Sequence, residues 1–466
     1  MDLFNRLENV SVIGAAGKMG SGIALLVSVL MAKRKLAAGE RGKSFRLNLV
    51  DVSPAALSGL ADYLRAQALK LAEKSIVELR ALYADRADLV ENGEIVEAFV
   101  ADVGRVAFLT TELTSVSDSH LVFEAIVEDE KVKLGVYKKL RKMCSDQTFF
   151  FTNTSSIPIS TLDRKADLEG RLIGYHFYNP PPIQRLVELI SHEGTRPDLS
   201  ALSLELGKLL GKKLIPSNDV AGFIGNGHFI RDGLHAISEV ERLTRQGRSF
   251  VEAVYAVNRV SQEFMLRPMG IFQLIDYVGI DVFSSILKVM NRYIPRQGLA
   301  SELVDSFVKK RVLGGQFSSG AQKDGFLKYE RNAPAGVYDL QEGKYVAFDR
   351  TEPDGWCARA DRQLGPLPGG WAPWKKMVSH PKKDEALRAY FQSLWAQDTQ
   401  GADLARTYLG RSAEISRNLV RDGVARTVED VNGVLLNGFY HAYGAVSEVV
   451  PGSKTGAART DGEVRS

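Results

Sequence analysis

The stretch Asn9-Val-Ser-Val-Ile-Gly14-Ala-Ala-Gly17-Lys-Met-Gly20 decides the fold. A short apolar run ends in glycine, and an apolar helix pattern follows over residues 18–35. A strand handing over to a helix through such a turn is how a dinucleotide pyrophosphate is cradled. The glycines have separate tasks: one permits the tight turn, one lets the backbone approach the phosphates, one lets the helix pack close to the strand. Gly17 and Gly20 suit the last two tasks, while Gly14 stands one residue further upstream than G-x-G-x-x-G asks, so the loop is a residue longer. The next strand pattern, residues 45–50, closes on Asp51. A carboxylate there accepts from ribose hydroxyls and repels a 2′-phosphate, which favours NAD over NADP. Gly20 and Asp51 are 31 residues apart, against an expected distance of about 20. A polar insertion over 37–44 explains the excess. The competing reading is a plain strand–turn–helix with a surface aspartate.

Outward from this turn, strand-like runs recur at 106–109, 121–126 and 148–151. An amphipathic stretch fills 54–92, and a helix pattern over 129–143 separates the last two strands. Residues 172–177 and 186–190 read as further strands. Strands alternating with helices predict an α/β domain, a doubly wound parallel sheet with helices on its faces. After residue 198 helical patterns dominate, with no strand-rich run before Val337.

The chain has 466 residues, a prior of about three domains at roughly 150 residues each. Its formal net charge of +4 is no nucleic-acid footprint. Cys144 and Cys357 stand far apart, which excludes a disulfide framework and a cysteine-based zinc site and fits a reducing compartment. The longest apolar run, 22–32, carries Ser28 and is too short to span a bilayer. Residues 1–9 mix acidic and basic side chains and show neither a signal-peptide core nor a transit pattern. The expectation is a cytoplasmic, multi-domain protein without a metal, a membrane or a nucleic-acid partner.

Several segments stand in a fixed order: Glu124-Ala-Ile-Val-Glu128, Asn153-Thr-Ser155-Ser156, His176-Phe-Tyr-Asn179-Pro180, Leu186-Val-Glu188-Leu and Gly222-Phe-Ile-Gly-Asn226. Pro268-Met-Gly270-Ile-Phe272-Gln-Leu-Ile-Asp276-Tyr-Val-Gly279 completes the series. Over residues 8–330 the set resembles the L-3-hydroxyacyl-CoA dehydrogenase family. The resemblance implies a Rossmann-type NAD-binding domain, an all-α C-terminal domain, and an acyl-CoA substrate lying between them.

Oxidising a secondary alcohol needs a base for the hydroxyl proton while hydride leaves. Histidine, which titrates near neutrality, suits that task. His176 ends a strand pattern, and Glu188 stands twelve residues on, in the next one. If those strands pair antiparallel the two side chains meet, and the carboxylate orients the imidazole. The resemblance assigns this pair as catalytic, with Ser155 and Asn226 holding the reacting oxygen. It places the turn residues Gly14, Gly17, Met19 and Gly20, with Asp51, on the cofactor, and Glu128 and Lys133 near its nicotinamide end. Glu128 and Lys133 read equally as a solvated helix start, and Ser155 or Ser156 as a helix N-cap. Lys74 falls where the family places a CoA-binding lysine, but Gln67 replaces a family serine. Gly227 stands where the family usually has arginine, a change expected to loosen the surroundings of Asn226. The segment 93–111 is longer than the family's.

Short family members end after a segment like Gly325-Phe-Leu-Lys-Tyr329, so the rest of this chain is surplus. The expected division is 1–217 for the nucleotide domain, 218–330 for the helical domain, 331–383 for a Trp-, Pro- and Gly-rich insert, 384–450 for a second, diverged helical region, and 451–466 for a disordered tail. Within the insert, 337–340 and 345–348 read as a hairpin, and Trp356, Trp371 and Trp374 as a local cluster or a ligand platform. Leu243-x-Arg245-x-Gly247 before Val251-Glu252-x-Val254 matches Leu419-x-Arg421-x-Gly423 before Val428-Glu429-x-Val431, offset by 176 and then 177 residues. Larger family members carry a silent second helical copy. Here such a copy would cover the surface that short members use to dimerise, leaving a monomer or a weak homodimer. The function implied is oxidation of (S)-3-hydroxyacyl-CoA in fatty-acid β-oxidation or a related pathway. A separate hydratase or thiolase chain is a conceivable partner. The alternatives are a dehydrogenase of another hydroxy acid on the same scaffold and a non-catalytic NAD-binding protein.

Overall fold

The computed structural model describes residues 2–37, 42–317 and 320–453. The expected tail lies outside the described residues from 454 on, as does the middle of the 37–44 insertion. The chain divides into two compact units, Met1–Val220 and Ala221–Ser466.

Unit 1 runs α1 (Leu3–Arg6), β1 (Asn9–Ile13), α2 (Gly20–Leu36), β2 (Arg46–Val50), α3 (Pro54–Lys74), α4 (Ile76–Leu82), α5 (Asn92–Val106), β3 (Ala107–Thr110), β4 (Leu121–Glu124) and α6 (Glu130–Met143). It continues through β5 (Phe149–Thr152), α7 (Ile159–Ala166), β6 (Leu172–Phe177), β7 (Leu186–Ser191), α8 (Pro197–Leu209) and β8 (Lys213–Asn218). The eight strands form one sheet in the order β3-β2-β1-β4-β5-β6-β7-β8. The first six are parallel to one another; β7 runs antiparallel to β6, and β8 parallel to β7. Every residue of β4 and β5 is buried, the signature of strands covered on both faces. Strand order reverses between β1 and β4, and a ligand crevice opens outside the carboxyl ends of strands at such a switch point.

Two features depart from the reading of the sequence. β8 falls where no strand was expected: Lys213-Leu-Ile-Pro-Ser-Asn218 has only two strand-type apolar residues, Leu214 and Ile215, and carries Pro216, which is tolerated because β8 is the sheet's edge. The amphipathic stretch 54–92 splits into α3 and α4, and the lengthened segment after it is largely α5, with Ile95, Phe99 and Val103 buried. Tyr83 ties this helical addition together by donating to Asp102 over 2.5 Å.

Unit 2 runs α9 (Phe223–Arg245), α10 (Phe250–Arg259), α11 (Ile271–Val278), α12 (Ile280–Tyr293), α13 (Glu302–Lys309), β9 (Leu327–Glu330), β10 (Ala333–Asp339), β11 (Lys344–Ala347), α14 (Trp356–Leu364), α15 (Trp374–Val378), α16 (Lys383–Ala396), α17 (Gln400–Arg421) and α18 (Val428–Gly438). The hairpin of the insert is present and gains a third strand: β9, from the segment that ends short family members, pairs antiparallel with β10. Asp276 anchors β9, accepting from the Phe326 and Leu327 amides over 2.7 and 2.9 Å and from the Tyr329 hydroxyl over 3.0 Å. The three insert tryptophans go to three places. Trp356 packs on Tyr255 and Phe348, Trp371 donates to the Glu263 carbonyl, and Trp374 to that of Tyr440.

The repeat has a structural counterpart. α9 and α17 each end one residue before a turn with a glycine at positive φ, Gly247 (96°) and Gly423 (71°). Each turn leads to a capping box, Ser249 with Glu252 on α10 and Thr427 with Asp430 on α18. The caps lie 178 residues apart, one more than the sequence match, so Glu252 corresponds to Asp430 and not to Glu429. α17 packs against α9, and the hydroxyl of Tyr408 donates to Asp232, 176 residues away.

Candidate active site

The glycine turn closes over the switch point. Gly14 and Ala15 donate to the Val50 carbonyl over 2.9 and 3.1 Å, binding the turn to the end of β2. Gly14 has φ +76°, and a Cβ there would sit 2.6 Å from the Ala125 carbonyl at the end of β4. A Cβ on Gly20 would sit 1.9 Å from the Gly14 carbonyl, so α2 approaches the strand as closely as backbone permits. A Cβ on Gly17 would meet only that same carbonyl, at 3.3 Å, and the Ala125 carbonyl at 3.9 Å. Met19 is the residue before α2. Asp51 follows β2, accepts from the Ala16 amide over 3.0 Å through one oxygen and from the Ser53 amide over 3.3 Å through the other. The carboxylate therefore braces the turn, and its two oxygens keep lone pairs for ribose hydroxyls. The turn, the helix N-terminus behind it and this acid fit a dinucleotide.

At the far side of the switch point the chain makes a second polar centre. Glu128 Oε1 accepts from the Thr154 hydroxyl (2.7 Å), the Ser155 and Ser156 amides (2.9 and 3.0 Å) and the Ser156 hydroxyl (2.9 Å). Burial would push Glu128 up, but the Lys133 charge and these donors outweigh it and hold it below the usual carboxylate range. Lys133 is fully buried on α6, 2.6 Å from Glu124 and 3.5 Å from Glu128. Burial works against its charge, and the two carboxylates overcome that and raise it. Lys133 is therefore no solvated helix start; it holds the Glu128 loop from beneath. Nor do the serines cap α7. Asp219 does, through the Ile159 and Ser160 amides, the latter over 2.9 Å. Ser156 is buried with its hydroxyl on Glu128, while Ser155 is half-buried and only 3.4 Å from it.

His176 and Glu188 face each other in register across the antiparallel pair β6–β7. The imidazole Nδ1 lies 3.0 Å from Glu188 Oε2. Glu188 is fully buried, with β6 on one side and β8 on the other, and His176 is buried too, with 9% of its surface exposed. Asn153 accepts from the Phe177 amide over 2.8 Å and so clamps the Ser155 loop to the end of β6. Tyr178 adds a second donor to Glu188 Oε2, over 2.8 Å. Glu124, Asn153 and Tyr178 stood in the quoted segments without an assigned role and Asp219 was not singled out, although Tyr178 carries a signal: residues i and i+2 leave a strand on the same face.

Two further expected site residues lie on helices. Lys74 is exposed in the last turn of α3. Asn226 belongs to unit 2, half-buried in the first turn of α9. Gly227 does not leave that turn loose: a Cβ there would meet Leu419 of α17 at 3.0 Å, so the glycine admits the second helical region. Among the described residues no group of acids, histidines or cysteines could hold a metal ion, and no helix is long and apolar enough to cross a membrane.

Residues 9–220 match the family described as 3-hydroxyacyl-CoA dehydrogenase, NAD binding domain, and residues 222–329 match its C-terminal domain. A probable 3-hydroxybutyryl-CoA dehydrogenase of Deinococcus radiodurans is 32% identical over 247 residues, 52% of this chain and 82% of the relative. The human mitochondrial hydroxyacyl-coenzyme A dehydrogenase is 30% identical over 283 residues, 60% of this chain and 79% of that protein. The crystal structure of the 3-hydroxybutyryl-CoA dehydrogenase of Escherichia coli K12 is similar in fold, with a TM-score of 0.62 at 22% identity, over 94% of this chain and 90% of that one.

Proposed function

This chain belongs to the 3-hydroxyacyl-CoA dehydrogenase family, and on that premise we propose that it oxidises (S)-3-hydroxyacyl-CoA to 3-ketoacyl-CoA with NAD, His176 being the general base. The observation that carries the reading is the buried Glu188 carboxylate 3.0 Å from His176 Nδ1. It keeps the ring proton on Nδ1, so Nε2 bears the lone pair that takes the hydroxyl proton of the substrate. As the proton arrives, Glu188 offsets the imidazolium charge; in the reverse direction His176 returns the proton to the ketone oxygen. Gly14, Gly17, Met19, Gly20 and Asp51 are the residues that would hold NAD, which when bound supplies the two-electron acceptor. Glu128, charged and fixed by Lys133, shapes the Ser155 loop. Ser155 and, by the resemblance, Asn226 hold the reacting oxygen; Lys74 takes a CoA phosphate.

The test is NADH oxidation with a panel of 3-ketoacyl-CoA chain lengths beside free acetoacetate. Turnover confined to the thioesters supports the reading, whereas turnover of free acids alone would replace it with the hydroxy-acid alternative. The place in fatty-acid β-oxidation or a related CoA pathway is part of the same proposal. We also propose a monomer or a weak homodimer: α17 and α18 pack on α9, and the second helical region would fill the surface that short family members use to dimerise. Sedimentation at nanomolar concentration should return a mass near 51.3 kDa, and a tight dimer there contradicts it.

A further inference from the structure

We propose that Tyr178 is a positioning residue that tunes the base by sharing the Glu188 oxygen on which His176 rests. The inference depends on the His176–Glu188 reading of the reaction. The Tyr178 hydroxyl donates to Glu188 Oε2 over 2.8 Å, and His176 Nδ1 meets that same oxygen over 3.0 Å. The two rings lie 5.0 Å apart, tilted by 42°. One oxygen thus serves two donors, and the negative charge it lends to the imidazole is divided between them. Glu188 has no exposed surface, so water does not readily take over for a missing donor. Burial, with the Glu188 charge next, holds the Tyr178 phenol well above the usual tyrosine range, so it stays a donor wherever the enzyme works.

The consequence is chemical. A carboxylate oxygen that receives one donor fewer holds a proton on the ring more firmly, and a protonated ring accepts none from the alcohol. The tyrosine draws off part of that charge. It weakens the hold of Glu188 on the ring proton while leaving charge on the carboxylate to offset the imidazolium that forms. A tyrosine that merely packed would touch ring against ring and leave the oxygen to the histidine.

The test is Tyr178→Phe in the full chain, which keeps the ring and removes the hydroxyl. The acid limb of kcat/KM for oxidation should move up by roughly 0.5–1 pH unit, and the alkaline limb of the reductive reaction should move up equally. Oxidation then loses several-fold below neutrality while reduction gains at alkaline pH. Without cofactor or substrate, the low-field proton resonance of His176 Nδ1 should move further downfield; its disappearance in His176→Gln assigns it. 3-Fluorotyrosine installed at position 178 is the complementary variant. Its more acidic phenol donates more strongly, so both limbs should move down, and it decides the matter should the phenylalanine variant fail to fold. Limbs and resonance unmoved, with only kcat lowered, would overturn the proposal and leave Tyr178 as packing. Parent-like turnover in His176→Gln would instead remove the dyad reading, an outcome independent of the Tyr178 variants.

Discussion

Glu188 of unit 1 and Asp232 of unit 2 are dressed alike. Each is buried, and each has a tyrosine hydroxyl beside it, that of Tyr178 2.8 Å from Glu188 and that of Tyr408 3.2 Å from the Asp232 carboxylate and 3.0 Å from its carbonyl; each faces a nitrogen donor, His176 at 3.0 Å and Arg267 at 2.7 Å. The difference lies in that donor. Arg267 never gives up its proton, so Asp232 sits in a permanent ion pair. Burial opposes both charges, and their mutual attraction outweighs it, lowering the aspartate and raising the arginine. The result is a clasp that joins α9, α17 and the turn before α11. In the proposed reaction His176 would take up and return a proton, so the same dressing around Glu188 would serve proton transfer. On that proposal one architecture would serve as a lock or as a base according to whether the partner can give up its proton.

That contrast can be broken at either end. The largest effect is expected from His176→Gln, which should cost about 10³-fold or more in kcat while NADH binding, followed by fluorescence titration, stays at the parent's value. Loss of NADH binding together with turnover would show that the residue shapes the fold instead. Arg267→Met leaves Asp232 buried without its cation and should cost about 3–5 kcal/mol of stability by calorimetry. Adding Asp232→Leu should recover much of this, and a double variant as unstable as the single one would show that packing, not charge, is what counts there.

Smaller effects sharpen the picture. Gly20→Ala puts a Cβ within 1.9 Å of the Gly14 carbonyl. The forced shift should weaken NADH binding by about 1–3 kcal/mol, while His176–Glu188 chemistry at saturating cofactor changes little; unaltered affinity would break the assignment of the turn. The smallest effect comes from His228, beside the Asp232 clasp. Burial is the largest influence on it and pushes it from 6.5 down to about 4, with Asp232 opposing and Arg267 and Arg231 reinforcing that. Its folded value is depressed, so the stability it contributes is present above 6.5 and drains as pH falls toward 4. The melting curve should have lost about 1 kcal/mol by about pH 5.5, and His228→Gln should flatten that dependence. A variant with the parent's acid slope places the titration elsewhere.

The parts legible in the sequence were the local ones. Gly14, Gly17 and Gly20 announce the nucleotide turn because a Cβ is excluded or a backbone must come close, and such demands act within a few residues of chain. The strand patterns that hold His176 and Glu188 were readable from alternation, but their meeting rested on an antiparallel pairing that the register of β6 and β7 supplies. β8 was not readable, since Pro216 and the polar ends Lys213 and Ser217-Asn218 conceal an edge strand that pairs only with β7.

The sequence by itself determined the class of protein and most of the residues that carry its proposed chemistry. Only the tertiary structure decided what those residues lean on. It put Lys133 in the core between two carboxylates, gave Ser156 to Glu128 while leaving Ser155 half-exposed, and set Leu419 against Gly227. It also brought Tyr178 onto the oxygen that His176 uses. The physical reason is that spacing along the chain specifies a strand, a turn or a helix face. Which donor reaches a given buried oxygen is settled only when separate elements pack and water is excluded from between them.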